Sequence, residues 1–247
     1  MPTKPFLIVS DIHLGAVPRS TERAFRDFLA LAKETASGLL INGDLFDFWF
    51  EYRTVIPREH YRVLASLAEV VEAGVPISFV GGNHDAWGGA FLRDEVGIDV
   101  LDGPVKLHLA GRRALVAHGD GVGTGDRGYK LFRRILRNRL TSFAFRQLHP
   151  DWGSRIASVV STTKGKTGKY VEEEGRAAFV RQWAVEQLRS DPTLDLVTAG
   201  HVHAPTLVEV SPGRYYANTG DWINHHTYLS LPADGSPPQL KRWTLDA

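Results

Sequence analysis

The sequence predicts an α/β fold: a largely parallel sheet with a helical insertion late in the chain. Three observations lead there. Short apolar runs alternate with helical periodicity between Phe6 and Val80, the pattern of right-handed strand–helix–strand crossovers. Five short polar motifs each end or follow an apolar run, where open α/β sheets gather their ligands. From Asp126 to about Ser190 the signals are helical, with no obvious strand.

In order, Phe6–Val9 reads as a buried strand ending at Asp11. Ser20 or Thr21 can cap a helix with Phe25, Phe28, Leu29 and Ala32 at helical spacing. Leu39–Ile41 reads as a second strand. Pro57 suits the first turn of another helix, with Tyr61, Leu64, Leu67, Ala68 and Val71 on one face. Ile77–Val80 reads as a third strand. Val105–Leu109 and Arg113–Ala117 flank a turn at Gly111 and read as a hairpin. Strands return at Leu194–Thr198, Thr206–Val210, Tyr215–Ala217 and near both ends of His226–Trp243. The organisation expected is one domain over 1–247, carrying a helical insertion or cap over about 121–190.

The 247 residues suffice for such a core. The 43% hydrophobic and 23% charged fractions are those of a soluble globule. A formal charge of +1 argues against a strong field toward nucleic acid. The absence of cysteine excludes disulfides and thiolate metal sites and fits a reducing compartment. The opening residues lead only into the short run Phe6–Val9, so no signal-peptide core is expected. No window approaches the roughly 18 apolar residues of a spanning helix. A cytoplasmic protein is expected, with any membrane contact peripheral, on the inner membrane.

The motifs are Asp11-Ile12-His13, Gly43-Asp44-Leu45-Phe46-Asp47, Gly82-Asn83-His84-Asp85, His118-Gly119-Asp120 and Gly200-His201-Val202-His203. Singly, each reads as easily as a polar turn. Together, in order and at strand ends, they assemble carboxylates, imidazoles and one amide, the ligand set for two divalent metals that attack phosphorus. One carboxylate can offer an oxygen to each metal, so Asp44 is expected to bridge. Asp11, His13 and His203 would complete one site; Asn83, His118 and His201 the other. Nitrogen and oxygen donors without thiolate suit manganese, iron or zinc and argue against copper(I) or an iron–sulfur cluster; the donors do not choose among the three, and manganese is the cofactor expected. Asp120 reads either as an orienter of the imidazoles or as a turn residue. His84 is not needed as a ligand; it could stabilise charge on phosphate oxygens or protonate the leaving group. Asp47, one helical turn beyond Asp44, could orient that imidazole, or could be a carboxylate favoured at a helix N-terminus.

These blocks resemble the calcineurin-like metallophosphoesterases over residues 6 to about 220. The resemblance implies a four-layer α/β/β/α sandwich with a di-metal centre at the strand ends, where a bridging hydroxide attacks phosphorus in line. Within that superfamily the chain looks most like the UDP-2,3-diacylglucosamine pyrophosphohydrolases of lipid A biosynthesis. The similar stretches are Gly43 to Trp49, then His118-Gly119-Asp120 followed by Asp126-Arg127-Gly128-Tyr129, and the helical insertion behind them. That resemblance implies cleavage of an acylated nucleotide-sugar into UMP and an acylated glucosamine 1-phosphate, with insertion helices sheltering the acyl chains. It further implies substrate contacts from Asp126, Tyr129 and basic residues between Arg155 and Lys169, including Lys164. One departure matters. The best-known branch has arginine where His84 stands; His84 and Asn218-Thr219-Gly220-Asp221-Trp222 look like a divergent branch. The alternative is a broad metal-dependent phosphodiesterase or phosphomonoesterase acting on soluble or nucleic acid substrates.

Residues 127–146 carry seven arginines and lysines among large apolar side chains, with no acidic residue. Such a stretch suits an anionic membrane surface. It also suits an amphipathic helix over the core with snorkelling arginines, and less well a nucleic acid backbone. Ser161 to Lys169 lacks the first glycine of a P-loop, so nucleotide triphosphate hydrolysis is not expected. Oligomeric state is left open.

Overall fold

The computed structural model describes residues 4–85, 87, 89–122, 141, 143, 145, 147–149, 152 and 170–244, the side chains of 170–174 aside. Asp126, Tyr129, Arg155, Lys164 and Lys169 lie outside the described residues, as does most of 127–146. Among the described residues, no helix is long and apolar enough to cross a membrane.

In chain order the elements are β1 (Phe6–Val9), α1 (Arg19–Thr35), β2 (Gly38–Ile41), a 3-10 turn (Arg58–His60), α2 (Tyr61–Glu72), β3 (Ile77–Val80), α3 (Ala90–Asp94), β4 (Asp99–Leu101), β5 (Val105–Leu109) and β6 (Arg112–Val116). After them come α4 (Tyr170–Ser190), β7 (Leu196–Ala199), β8 (Thr206–Ser211), β9 (Arg214–Asn218), β10 (Thr227–Leu231) and β11 (Gln239–Arg242). Two sheets result, in strand orders β11-β10-β1-β2-β3-β4 and β5-β6-β7-β9-β8. Strands β1 to β4 are parallel, as the alternating pattern requires, and β10 and β11 close that sheet antiparallel. In the second sheet β6, β7 and β9 run parallel between antiparallel edges.

Three apolar clusters mark three interfaces between four layers. Phe25, Phe28 and Leu29 of α1, with Val63, Leu64 and Leu67 of α2, pack on Leu7, Val9, Leu39 and Ile41. The alternate side chains Ile8 and Leu40 face the second sheet, meeting Val116, Leu196 and Ala217. Val180, Ala184 and Leu188 of α4 cover the far face, on Val197, Ala199 and Tyr216. The four-layer sandwich is therefore the observed fold. Of the helical stretch expected from 126 to 190, α4 is described, and Arg214 ties its last turn to the loop that follows. Its guanidinium donates to Leu188 O (2.5 Å), Asp191 O (2.7 Å) and Leu194 O (2.7 Å).

Several expectations need correction. Helix α1 starts at Arg19, with Pro18 at its N-cap and no side-chain cap, so neither Ser20 nor Thr21 caps it. Proline's fixed φ and missing N–H suit that end without one. Pro57 caps the 3-10 turn that leads into α2. The buried face of α2 is Val63, Leu64, Leu67 and Val70, while Tyr61 is 59% exposed. The second hairpin strand is Arg112–Val116, and Ala110 and Gly111 both take positive φ (48° and 79°), the geometry of a two-residue primed turn. Helix α3 and strand β4, five and three residues long, go beyond the sequence reading, because elements so short carry no measurable period.

His60 is buried against the Phe46 ring (4.6 Å between centroids). Burial pushes its imidazole from 6.5 to about 4, the Asp47 carboxylate opposing weakly. Below pH 6.5 the unfolded chain binds a proton that the folded chain refuses until about pH 4. Stability therefore falls as pH drops through that window, by about 1.5 kcal/mol from pH 6.5 to 5 for this residue. Urea unfolding of His60→Phe at those two pH values is expected to show a loss smaller by about that amount. Equal losses in variant and wild type would refute this account of His60.

Candidate active site

The site is built where both sheets end. Beyond β1 and β2 the chain keeps pairing: Asp11 N donates to Gly43 O (3.0 Å), Ile12 N and His13 N to Asp44 O (2.9 and 3.0 Å), and Leu14 N to Leu45 O (3.0 Å). This continued ladder sets Asp11 and His13 beside Asp44. It requires left-handed conformations at Asp11 (φ 56°), His13 (53°) and Asp44 (52°), matched across the site by His201 (67°) and His203 (49°). Non-glycine residues there are uncommon and concentrate where a site demands an unusual side-chain direction. The room is equally specified. A Cβ at Gly82 would overlap Asp44 Oδ1, and one at Gly43 would overlap His118 Nδ1.

Hydrogen bonds stitch the second sheet to the first at the same level. Asn42 Nδ2 donates to Ala117 O (2.9 Å), and His118 Nδ1 donates to Asn42 O (2.8 Å). Ser10 Oγ meets Thr219 Oγ1 (2.5 Å), and His201 N donates to both carboxylate oxygens of Asp11 (3.0 Å each). Trp222, fully buried against Phe25 and Phe28, donates its backbone N–H to Asp11 O (3.0 Å), so core packing also fixes this loop.

Six of the seven expected ligands gather around Asp44. Ligand atoms of Asp11, His13 and His203 lie within 4.8 Å of one another, and so do those of Asp44, His118 and His201; His84 joins His13 and Asp44 in a third such group. His203 Nε2 is 3.3 Å from Asp11 Oδ1 and 3.2 Å from His13 Nε2. His118 Nε2 is 3.2 Å from Asp44 Oδ2, and His13 Nε2 is 3.8 Å from the same oxygen. Two atoms test whether cations fit. With Nδ1 committed to Asn42 O, Nε2 is the atom His118 can offer to a cation once it gives up its proton, and it is buried without a well-formed hydrogen bond; so is Asn83 Oδ1. Buried polar atoms left in that state are costly unless something else, such as a metal, takes them up. The donor set fits divalent cations.

The electrostatics agree. Burial raises the Asp44 carboxyl, but the His118 and His13 imidazoles outweigh it and hold Asp44 well below the carboxylate range. Burial likewise raises Asp11, and the His203 hydrogen bond and His118 pull it down overall. Burial lowers His118, yet the Asp44 and Asp11 carboxylates carry it well above 6.5. His203 also rises despite burial, through Asp11, whereas burial and the nearby His118 press His201 down to about 4. Two carboxylates at the centre of four imidazoles are thus kept ionised.

His84 stands at the rim, 14% exposed, its ring edge-on to His13 (4.9 Å, 84°). Its backbone N–H donates to Asp44 Oδ1 (3.0 Å) and its Nδ1 to the backbone carbonyl of Asp47 (2.8 Å). The helical turn expected from Asp44 to Asp47 is absent; Asp47 sits in an irregular segment, its N–H on Leu14 O (2.9 Å). Its carboxylate lies 3.6 Å from His13 Nδ1 and 3.7 Å from His84 Nδ1. Asp120 is buried and adds negative charge near His118 and His201.

Sequence reasoning does not find Asp85, Asn42 or Ser10. Asp85 is buried and accepts from Gly82 N (2.8 Å), Asp44 N (3.2 Å) and Phe46 N (3.2 Å), which locks the two central loops together. Burial and the Asp44 charge raise it to about 7. Its place inside the third motif is the only signal it carries. Asn42 and Ser10 precede motifs and carry none.

Residues 4–205 match the family model described as Calcineurin-like phosphoesterase. The chain is a calcineurin-like phosphoesterase. As a member of that family it is a phosphoester hydrolase, and the family's divalent metals find candidate ligand clusters in it. Among curated relatives, this phosphoesterase is 30% identical over 237 residues to the UDP-2,3-diacylglucosamine hydrolase of Porphyromonas gingivalis, covering 89% of this chain and 90% of that one. It is 31% identical to the enzyme of the same name from Ralstonia nicotianae, covering 90% and 85%.

Proposed function

We propose that this phosphoesterase hydrolyses the pyrophosphate of UDP-2,3-diacylglucosamine, releasing UMP and an acylated glucosamine 1-phosphate. The observation that carries the reading is the near full-length similarity to hydrolases of that name, over a chain that brings candidate metal ligands together as Asp11–His13–His203 and Asp44–His118–His201. The residues divide as follows. Asp11, His13 and His203 hold one cation, Asn83, His118 and His201 the other, and Asp44 serves both. Manganese is the metal we assign. Bound there, the cations supply Lewis acidity and a nucleophile at neutral pH. His84, its Nδ1–H committed to Asp47 O, directs Nε2 toward the phosphate oxygens and the leaving group.

The cap region supports an acylated substrate. Phe145 packs on Phe50 (4.5 Å) and Trp87 (5.1 Å), beside the loops that hold Asp47 and His84. Phe143 and Trp152 are 63% and 61% exposed, as an enzyme working at an anionic membrane surface would present them. The broad phosphodiesterase is the second reading, since His84 stands where the best-known lipid A branch has arginine.

Incubation with manganese and UDP-2,3-diacylglucosamine tests the reading. UMP release at least about 100-fold more efficient than turnover of an aryl phosphodiester is expected, because binding energy from the remote acyl chains contributes to the transition state. Equal efficiency on both would favour the broad enzyme.

A further inference from the structure

We propose that Glu51 is a positioning residue for His84. The proposal rests on the hydrolase reading only for the meaning of His84; its structural part stands alone.

Glu51 is 4% exposed, deeply buried for a carboxylate. Oε1 accepts from Trp49 Nε1 (3.1 Å) and Gly89 N (2.8 Å), and Oε2 accepts from Phe91 N (3.0 Å). These donors lie on two segments. One follows β2 and runs from Asp47 to Glu51; the other follows β3 and runs from His84 to Phe91. Between them Trp49 N donates to His84 O (3.3 Å), and Phe50 pairs with Trp87 in a parallel bridge. The segments form a short zip. One end is His84 Nδ1 on Asp47 O, and the other end is the Glu51 carboxylate.

The zip explains why a carboxylate is kept in an apolar wall. Charge-assisted bonds to three N–H groups are the strong kind, and losing the acceptor strands three donors. Among the described residues of 47–51 and 84–89, none belongs to a regular strand or helix, so the zip itself must hold them. Once Glu51 lets go, the carbonyl of Asp47 loses its fixed place against His84. The ring then gains freedom, and misplacement by about 1 Å can cost up to about 100-fold in rate. None of the three bonds touches Asp11, His13, Asn83, His118, His201 or His203, so metal binding is expected to survive.

A double-mutant cycle tests this with wild type, Glu51→Gln, His84→Ala and the double variant, on manganese-loaded protein and an unactivated phosphodiester, where the contribution of His84 is expected to be largest. Glu51→Gln is expected to lower kcat about 10-fold in the wild-type background, by less than about 2-fold in the His84→Ala background, and to leave KM and metal content unchanged. Equal losses in both backgrounds would overturn the proposal, as would an unchanged kcat. A second readout needs no turnover. In metal-free protein labelled at histidine nitrogen, the Nδ1–H of His84 should be protected from exchange in the wild type and lose protection in Glu51→Gln. Retained protection in the variant would overturn the proposal. Should the wild type cleave no phosphoester, the functional reading fails and the exchange result still decides the role of Glu51.

Discussion

The Asp44→Ala variant is expected to lose phosphoester hydrolysis by about 10³-fold or more, equivalent to about 4 kcal/mol of transition-state stabilisation. Asp44 lies between the two ligand groups, with Oδ2 3.2 Å from His118 Nε2 and 3.8 Å from His13 Nε2. Its carboxylate is held ionised by the imidazoles around it, so it is ready to bind cations across the working pH range. Asp85, the nearby carboxyl, cannot substitute, because it is turned onto the amides of Gly82, Asp44 and Phe46. On the proposed assignment, loss of Asp44 is expected to weaken both metals together. Metal content per chain and kcat/KM, measured on the same preparations, check this. A variant with full activity, or with both metals still bound tightly, would contradict the assignment.

The second large effect is expected at His84. His84→Ala should lower kcat by about 10²- to 10³-fold, the range for a positioned acid or charge-stabilising donor, while both metals remain. The ring touches the centre from its rim, and its backbone N–H rather than its side chain contacts Asp44. Because the loss falls on leaving-group departure, it should shrink on substrates with a well-stabilised leaving group such as nitrophenolate. Steady-state kinetics on an aryl phosphodiester and on an unactivated phosphodiester separate the two. If one metal is lost instead, His84 is a ligand, which its place near His13 and Asp44 also permits geometrically.

Much of this is legible in the sequence for a physical reason. Buried parallel strands are continuous apolar runs, and the residues that follow each run land at one edge of the sheet. Val9, Ile41 and Val80 thus announce Asp11, Asp44 and Asn83 without any structural information. What is not legible is whatever depends on which backbone carbonyl or amide lies nearby. The partner of His84 Nδ1 is the carbonyl of Asp47, 37 positions earlier in the chain, and carbonyls carry no sequence signature. Asn42, Asp85 and Glu51 act by accepting from or donating to backbone groups of distant segments; only the place of Asp85 in the third motif marks it, and nothing in residue type or spacing separates Asn42 and Glu51 from ordinary turn residues. The cap of α1 goes astray in the sequence because serine and threonine advertise a cap that a proline makes unnecessary.

The central claim is that two cations sit on either side of Asp44. Anomalous diffraction from manganese-soaked crystals tests it most directly. Two peaks about 3.5–4 Å apart are predicted, one among Asp11, His13 and His203, the other among Asn83, His118 and His201, both within bonding distance of Asp44. A single peak, or peaks that leave Asp44 uncoordinated, would contradict it.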